Sequence, residues 1–322
     1  MPTLGTPTLD QLRVFLAVAE SGSFSAAGRR LNRRQSVISY TIANLEAQLG
    51  GLVLFDRGRR RPALTEVGKT MLAEAQKLTL GVEGLLARAR GLKAGLEPEL
   101  AVAVDVMMPT ERLTCILVAF RDAFPTVTLR LNVEGLGSVA QLVLDRTCAV
   151  GVSGPLAVGV GGLEQKPVGG VNLVHVAAPG HPLARLGRTL TLADVQGHVQ
   201  LVLSDRSALS RGQDFGVLSP ETWRLADLGA KHALLRAGLG WGGMPELSVR
   251  DDIDAGRLAL LDVEPLSGVV YRLAAIHRID SPPGPAARWF IARLAEGAPS
   301  VEDAPDQALA ASAVSRRSHP SA

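Results

Sequence analysis

Apolar residues recur along the first fifty positions with the period of an α-helix. Leu12, Phe15, Leu16 and Ala19 fall at helical spacing behind Thr8 and Asp10, which suit an N-terminal cap and a first-turn acid. Gly22 supplies the stop, so the pattern predicts a first helix over 8–20. A shorter helix follows, capped by Ser23 or Ser25, with Ala26, Ala27 and Leu31 facing inward and Arg29 and Arg30 outward. After the break Asn32-Arg33-Arg34, a third helix opens near Gln35, buries Val37, Ile38, Ile42, Leu45 and Leu49, and stops at Gly50-Gly51. Two short helices joined by a tight polar turn make a helix-turn-helix.

The apolar stretches "LVLF" at 52–55 and "PALT" at 62–65 flank Asp56-Arg57-Gly58-Arg59-Arg60-Arg61 and read as a β-hairpin wing with a basic tip. Beyond it Met71, Ala75, Leu78, Val82, Leu85, Ala89 and Leu92 alternate steps of four and three, the heptad spacing of a coiled-coil seam. One long linker helix over 67–95, paired with a second copy, is expected; the alternative is a helix lying on its own globular domain. Gly81 and Gly84 each weaken such a helix by roughly 1 kcal/mol relative to Ala, so partner packing has to supply its stability.

From residue 96 the periods alternate. "LEPE" at 96–99 reads as a hinge. A strand over 100–106 is followed by a helix carrying Leu113, Ile116, Leu117, Phe120 and Phe124, a strand over 127–133, a helix with Val139, Leu142 and Val143, and a strand over 149–152. The order βαβαβ predicts a parallel sheet with helices on both faces. A second section over 171–268 holds a strand at 171–178, the loop "PGHPLAR", a strand at 200–203 and a helix at 229–237. A strand at 269–277 and a helix at 285–294 then return to the first sheet. The expected body is thus two α/β lobes with a cleft between them, lobe I from 96–170 and 269–297, lobe II from 171–268. Residues 298–322, rich in Ala, Ser, Pro and charge without periodicity, predict a disordered tail.

Composition adds limits. With 322 residues, 47% hydrophobic and 20% charged, the chain is globular in character. No basic start precedes a long apolar core and no apolar run approaches the roughly 18 to 20 residues of a membrane span, so a cytoplasmic protein without membrane contact is expected. Cys115 and Cys148 lie in apolar patterns with no CxxC, which predicts buried free thiols. The histidines form no HExxH pair and there is no GxSxG, so no metal, cofactor or catalytic set is expected. Charge is uneven: residues 1–94 hold 14 Lys and Arg against 7 Asp and Glu, leaving 20 against 24 for the remainder. A basic head on a mildly acidic body points to a polyanion at one end.

A helix-turn-helix that binds double-stranded DNA places the start of its third helix at the base edges, here Gln35, Ser36, Ser39 and Tyr40, with Gln35 the best single reader. Ser23, Ser25, Arg33, Arg34, Arg57, Arg59, Arg60 and Arg61 are then candidates for phosphate or minor-groove contacts. For any one of these arginines a solvated surface is the commoner explanation; three basic clusters on one predicted face favour DNA.

Residues 8–66 resemble the winged helix-turn-helix of LysR-type transcriptional regulators, through "LRVFLAVAESGSFSAAGRRL", "RQSVISYTIANLEAQLGGLVLF" and "DRGRRRPALTEVGKTML". The body resembles the same family more loosely through residue 297, by "AFRDAFPTVTL", "GHPLA" and "LLRAGLGWGGMPE". Arg34 stands where the family usually has a small residue, and Tyr40 where a basic one is common. The resemblance implies a homodimer or homotetramer and a C-terminal domain like a periplasmic binding protein, with a small-molecule effector between its lobes. Clefts at strand C-termini are where α/β sheets take ligands, which makes Asp105, Met107, Met108, Thr110, Ser153, Ser204 and Trp241 the candidate effector residues. An acid at 105 favours a ligand offering donors or positive charge unless Arg206 or Arg211 joins it; alternatively Asp105 caps the next helix and the two methionines are core filler. "GLGWGG" at 238–243 follows a helix, so a C-cap and turn is favoured over a phosphate loop. Two other functions stay in view: a two-lobe small-molecule-binding protein or enzyme with a helical interaction head, and a constitutive architectural DNA binder, which leaves the body without a role.

Overall fold

The computed structural model describes residues 5–56, 62–157, 159–205, 207–210 and 215–296. Thr8 opens helix α1 (Leu9–Ser21) with a reciprocal cap: it accepts from the Gln11 amide, and the Gln11 side chain accepts from the Thr8 amide. Gly22, at φ 61°, closes it in the left-handed region that favours glycine. Ser23 caps α2 (Phe24–Arg30), and α3 (Gln35–Gln48) follows. The strands β1 (Phe55–Asp56) and β2 (Ala63–Leu64) pair antiparallel, and α4 (Glu66–Lys93) completes the first of two compact units, which divide after Lys93.

The core of this unit joins Val14, Phe15 and Val18 of α1, Ala27 of α2, Ile38, Ile42 and Leu45 of α3, and Leu54, Phe55 and Ala75. Phe55 takes edge contacts from Phe15 at 5.5 Å and Phe24 at 5.6 Å. Two expectations are corrected here. Val37 is 44% exposed, because the inward face of α3 runs through Ile38, Ile42 and Leu45 and leaves its neighbour beside it in solvent. The wing strands are shorter than "LVLF" and "PALT": Leu52 and Val53 are exposed, and the Leu54 amide is taken by the Glu46 carboxylate at 2.8 Å instead of a strand partner. The first part of helix α4 lies on its own domain, the alternative expectation, while its later leucines are open. Ala75 and Thr79 are buried and Met71 and Leu72 pack on the core, but Leu78, Leu85 and Leu92, seven residues apart, are 59%, 65% and 54% exposed.

The second unit starts with β3 (Glu99–Asp105), α5 (Thr110–Ala123), β4 (Thr128–Glu134), α6 (Gly137–Leu144) and β5 (Val150–Ser153). β3 lies parallel between β4 and β5, with Val102 beside Leu131 and Val150, so the βαβαβ order gives the parallel sheet it predicts. Then come β6 (Leu163–Ala177), α7 (Pro182–Arg185), α8 (Leu192–Gln196), β7 (Gln200–Leu203), β8 (Thr222–Leu225), α9 (Leu228–Arg236), β9 (Trp241–Pro245), α10 (Glu246–Asp254), β10 (Ala259–Leu261), β11 (Val270–Arg278) and α11 (Pro285–Ala295). The strand order is β4-β3-β5-β11-β6-β9-β7-β8, with β10 also on β6.

Two lobes result, and β6 belongs to both. It begins at Leu163 rather than 171: its first part pairs antiparallel with β11 from Leu163 opposite Arg278, and its last part with β9 and β10 from Leu173 opposite Pro245. In lobe I one sheet face packs Val102, Val104, Val150 and Val152 against α5 and α11, and the other packs Ala103 and Ile276 against Val139, Ala140 and Val143 of α6. Glu97, in the expected hinge, caps α11 from 189 positions away, accepting from the Ala286 amide at 3.0 Å and the Ala287 amide. Cys148 is buried as expected, whereas Cys115 is exposed, on the outward side of α5. Residues 298–322, expected as a tail, lie outside the described residues. Among the described residues no helix is long and apolar enough to cross a membrane.

Candidate DNA-binding surface and interlobe cleft

The N-terminal end of α3 stands open. Arg34, Gln35, Ser36 and Val37 are exposed in succession, Ser39 is half-buried and Tyr40 is 69% exposed. The first turn carries no acid and the helix has no side-chain cap, so no side chain of its own competes with an anion at this end. The structure therefore brings together Arg34, Gln35, Ser36 and Tyr40, and adds Val37, which helical spacing had assigned to the core. An exposed apolar side chain there suits the methyl of thymine.

The remaining head candidates are engaged within the protein. Ser23 Oγ accepts from the Ala26 amide at 3.3 Å as the cap of α2, and Ser25 Oγ accepts from Arg29 at 3.0 Å. Arg33 donates both terminal nitrogens to Asp10, at 2.7 and 2.8 Å, tying the turn before α3 to the start of α1. That hydrogen-bonded guanidinium holds the Asp10 carboxyl below its ordinary range. Arg57, Arg59, Arg60 and Arg61 lie outside the described residues.

In the body, β3 and β5 end side by side, and Asp105 lies beneath their ends, 1% exposed. Its Oδ1 accepts from the Met107 amide at 2.9 Å and its Oδ2 from the Tyr271 hydroxyl at 2.7 Å, while the Gly154 amide also donates to it. Asp105 thus ties the turn after β3 rather than capping α5, whose N-cap position is Pro109. Met107 and Met108 are buried, Met108 within the lobe I core. Ser153 is fully buried with no partner for its hydroxyl. Ser204 follows β7, its amide bonded to the Leu225 carbonyl, and Thr110 is exposed at the start of α5.

Trp241 is a correction. It is the first residue of β9 rather than part of a turn, is 0% exposed, and packs with Ala177, Leu183, Leu190 and Val195 in the lobe II core. Register explains this: Trp241 pairs with Ala177 on β6, which fixes its ring on an inner face of the sheet. The start of "GLGWGG" behaves as a cap, with Gly238 at φ 77° just past α9, whereas Gly242 and Gly243 continue β9 opposite Val176 and His175. Sequence reasoning missed Tyr271, which bonds Asp105, and the pair Ser138 and Asp205, which join distant elements. Asp205, beyond β7, accepts from both the amide and the hydroxyl of Ser138 at the start of α6. Nothing local marks any of the three.

Burial pushes the Asp105 carboxyl up to about 6, and the charge of Asp205 adds to the effect despite three donated hydrogen bonds. Burial and the same carboxylate raise the Tyr271 phenol, so it stays a donor. In lobe II, burial lowers Lys231 to about 8 and, with the Lys231 charge, His175 to about 4. These groups set opposite pH dependences. Asp105 binds its proton more tightly in the fold, so its stabilisation is complete below about pH 4 and lost as pH rises through 6, an effect of roughly 3 kcal/mol. His175 does the reverse, losing stabilisation as pH falls from 6.5 toward 4. The informative quantity is therefore a difference: Asp105→Asn should gain thermal stability relative to the wild type as pH rises from 4 to 6.5. A difference that stays flat across that range would show that Asp105 does not titrate there.

A winged helix-turn-helix with an open recognition end, followed by a two-lobe α/β body with polar groups at its strand ends, defines a ligand-responsive DNA-binding protein. Residues 9–69 match the model of the bacterial regulatory helix-turn-helix proteins of the lysR family, and residues 93–299 match the LysR substrate binding domain. The chain belongs to the LysR family: it is a transcriptional regulator with a DNA-binding helix-turn-helix and an effector-binding domain. Similar proteins include the HTH-type transcriptional regulator YwqM of Bacillus subtilis, 30% identical over 79% of this chain and 87% of that protein. The regulator AceR of Acinetobacter baumannii is 26% identical over 88% of this chain and 94% of its own. Among solved structures, the oxidized form of Corynebacterium glutamicum OxyR shares 23% identity over 90% of this chain and 91% of that one, with a TM-score of 0.46.

Proposed function

We propose that residues 8–66 form the DNA-reading head, 67–95 the dimerisation helix, and 96–297 the effector-binding domain of a cytoplasmic regulator that is not an enzyme. Two heads held by paired α4 helices read a partly palindromic site in successive major grooves. The observation that carries this reading is the open end of α3, where Arg34, Gln35, Ser36 and Val37 are exposed together on a basic head. Gln35 and Tyr40 read bases, with Val37 on a thymine methyl, and Arg34 and the wing arginines 57 and 59–61 meet phosphates. Arg33, Ser23 and Ser25 hold the head in shape and reach DNA only secondarily, given their internal bonds. The effector lies between the lobes, near Asp105, Ser153 and Ser204, where the buried carboxyl favours a ligand that offers donors. Its binding shifts the balance of body arrangements and so the spacing of the heads.

The test separates reading from holding. Gln35→Ala should lower affinity for the cognate site by about 1–3 kcal/mol with little change on random DNA, whereas Arg34→Ala should weaken both and reduce the salt slope by about one. Salt titrations of both variants on the DNA upstream of the gene and on random DNA measure this directly. Equal losses on both DNAs for both variants would contradict the division of roles.

A further inference from the structure

Helix α6 begins without a cap of its own. Leu136 holds its N-cap position at φ 50° and ψ −125°, a costly conformation for a residue with a Cβ, and has no side-chain oxygen to offer. The Ser138 amide reaches the Gly135 carbonyl at 3.1 Å, but the side-chain acceptor comes from the other lobe. Asp205 places Oδ2 2.7 Å from the Ser138 amide and 3.1 Å from the Ser138 hydroxyl, which both donate to it. The Ser210 hydroxyl donates to its other oxygen and steadies it.

The surrounding backbone is shaped for this approach. A Cβ built on Gly137 would collide with Ser207 Oγ and stand 3.1 Å from Leu209 Cβ, so a larger residue here would have to push the segment from lobe II aside. Leu209 in turn packs on the lobe I cluster that contains Val139 and Ala140. A charge-assisted cap, a hydroxyl bond, a close backbone approach and an apolar contact thus join the two lobes at one point.

We propose that Asp205 is a built-in latch, a carboxylate of lobe II seated on the α6 terminus of lobe I that holds the lobes together by the chain's own groups. This goes beyond the effector reading, since the latch needs no ligand. It makes the joined arrangement the resting state, and a molecule that parts the lobes must first displace Asp205 from the Ser138 donors.

Hydrogen exchange on the full-length protein, with no ligand added, tests it. Asp205→Ala should raise exchange over 135–143 and 203–210 by about tenfold or more, while peptides from β4 and α10 keep their rates. Excess acetate, a free carboxylate, should then restore slow exchange at the start of α6 but not over 203–210, because it recaps the helix without bridging the lobes. Gly137→Ala provides an independent wedge: alanine favours the helix more than glycine does, so faster exchange over 203–210 in this variant reports that segment leaving α6 and not loss of the helix. The latch is overturned by unchanged exchange over 203–210 in Asp205→Ala, or in Gly137→Ala where the first variant does not fold. It is equally overturned if acetate leaves α6 unprotected.

Discussion

Leu85→Asp should separate the proposed α4-paired copies and lower affinity for a two-half-site operator by about a hundredfold or more, the advantage that a second linked contact ordinarily confers. The expectation rests on α4. Its exposed leucines at 78, 85 and 92 recur every seven residues and so share one stripe, with Leu85 at its centre and 65% exposed. Burying each in a paired helix stabilises by roughly 1.5–3 kcal/mol. An aspartate at the centre instead places two carboxylates opposite one another across the seam. The fold of each copy has little stake in this side chain, so melting of the head and body should be unchanged. Sedimentation velocity gives the mass, and anisotropy on full and half sites gives the affinity ratio. A variant that stays dimeric, or keeps the full-to-half-site ratio of the wild type, removes α4 from the interface.

Phe15→Ala should strongly destabilise the head, so that DNA binding is lost at a lower temperature, while sparing the body. Phe15 is 1% exposed and meets Phe55 edge-on at 5.5 Å, while Phe55 also meets Phe24, so one ring from each of α1, α2 and β1 forms the lock. Truncating a buried phenylalanine costs about 3–5 kcal/mol, from lost transfer energy and the cavity left behind. A domain of this size holds only about 5–15 kcal/mol in total, so the head should melt on the order of 20 °C earlier. Because the chain divides into two compact units after Lys93, calorimetry should show one transition moving and the other staying. A loss below about 1 kcal/mol would mean that the core relaxes around the missing ring, and that the aromatic lock is not what holds α1 on the wing.

The head was legible because its signals are local. Thr8, Gly22 and Ser23 act within four residues of themselves, and their caps appear where the sequence places them. Val37 was misassigned because helical spacing admits two adjacent residues to one face, and only the position of the partner helices decides between them. In the body, "KPVGG" hid the first half of β6: Pro167 and Gly169-Gly170 read as breaks, but the strand crosses them on β11 with a register shift between Arg272 and Ala274. β8 escaped detection because its Trp223 and Arg224 are exposed, leaving no apolar alternation to read. Asp105 was legible as an acid at the end of a strand, but its partner Tyr271 lies 166 positions away, beyond the reach of any periodicity. Arg33 shows the converse: its charge was legible, but its bond to Asp10 across 23 positions was not.

The single strand β6 has a mechanical consequence. Its 15 residues pass through both lobes, and where it crosses, the Leu173 amide bonds the carbonyl of Val269, just before β11 begins. A joint made of two hydrogen-bonded strands filters motion. It tolerates added twist, which sheets accommodate readily, but resists sliding, since a slip of one residue would turn every side chain to the wrong face. Such a joint lets one lobe turn about β6 more easily than it lets one lobe slide past the other.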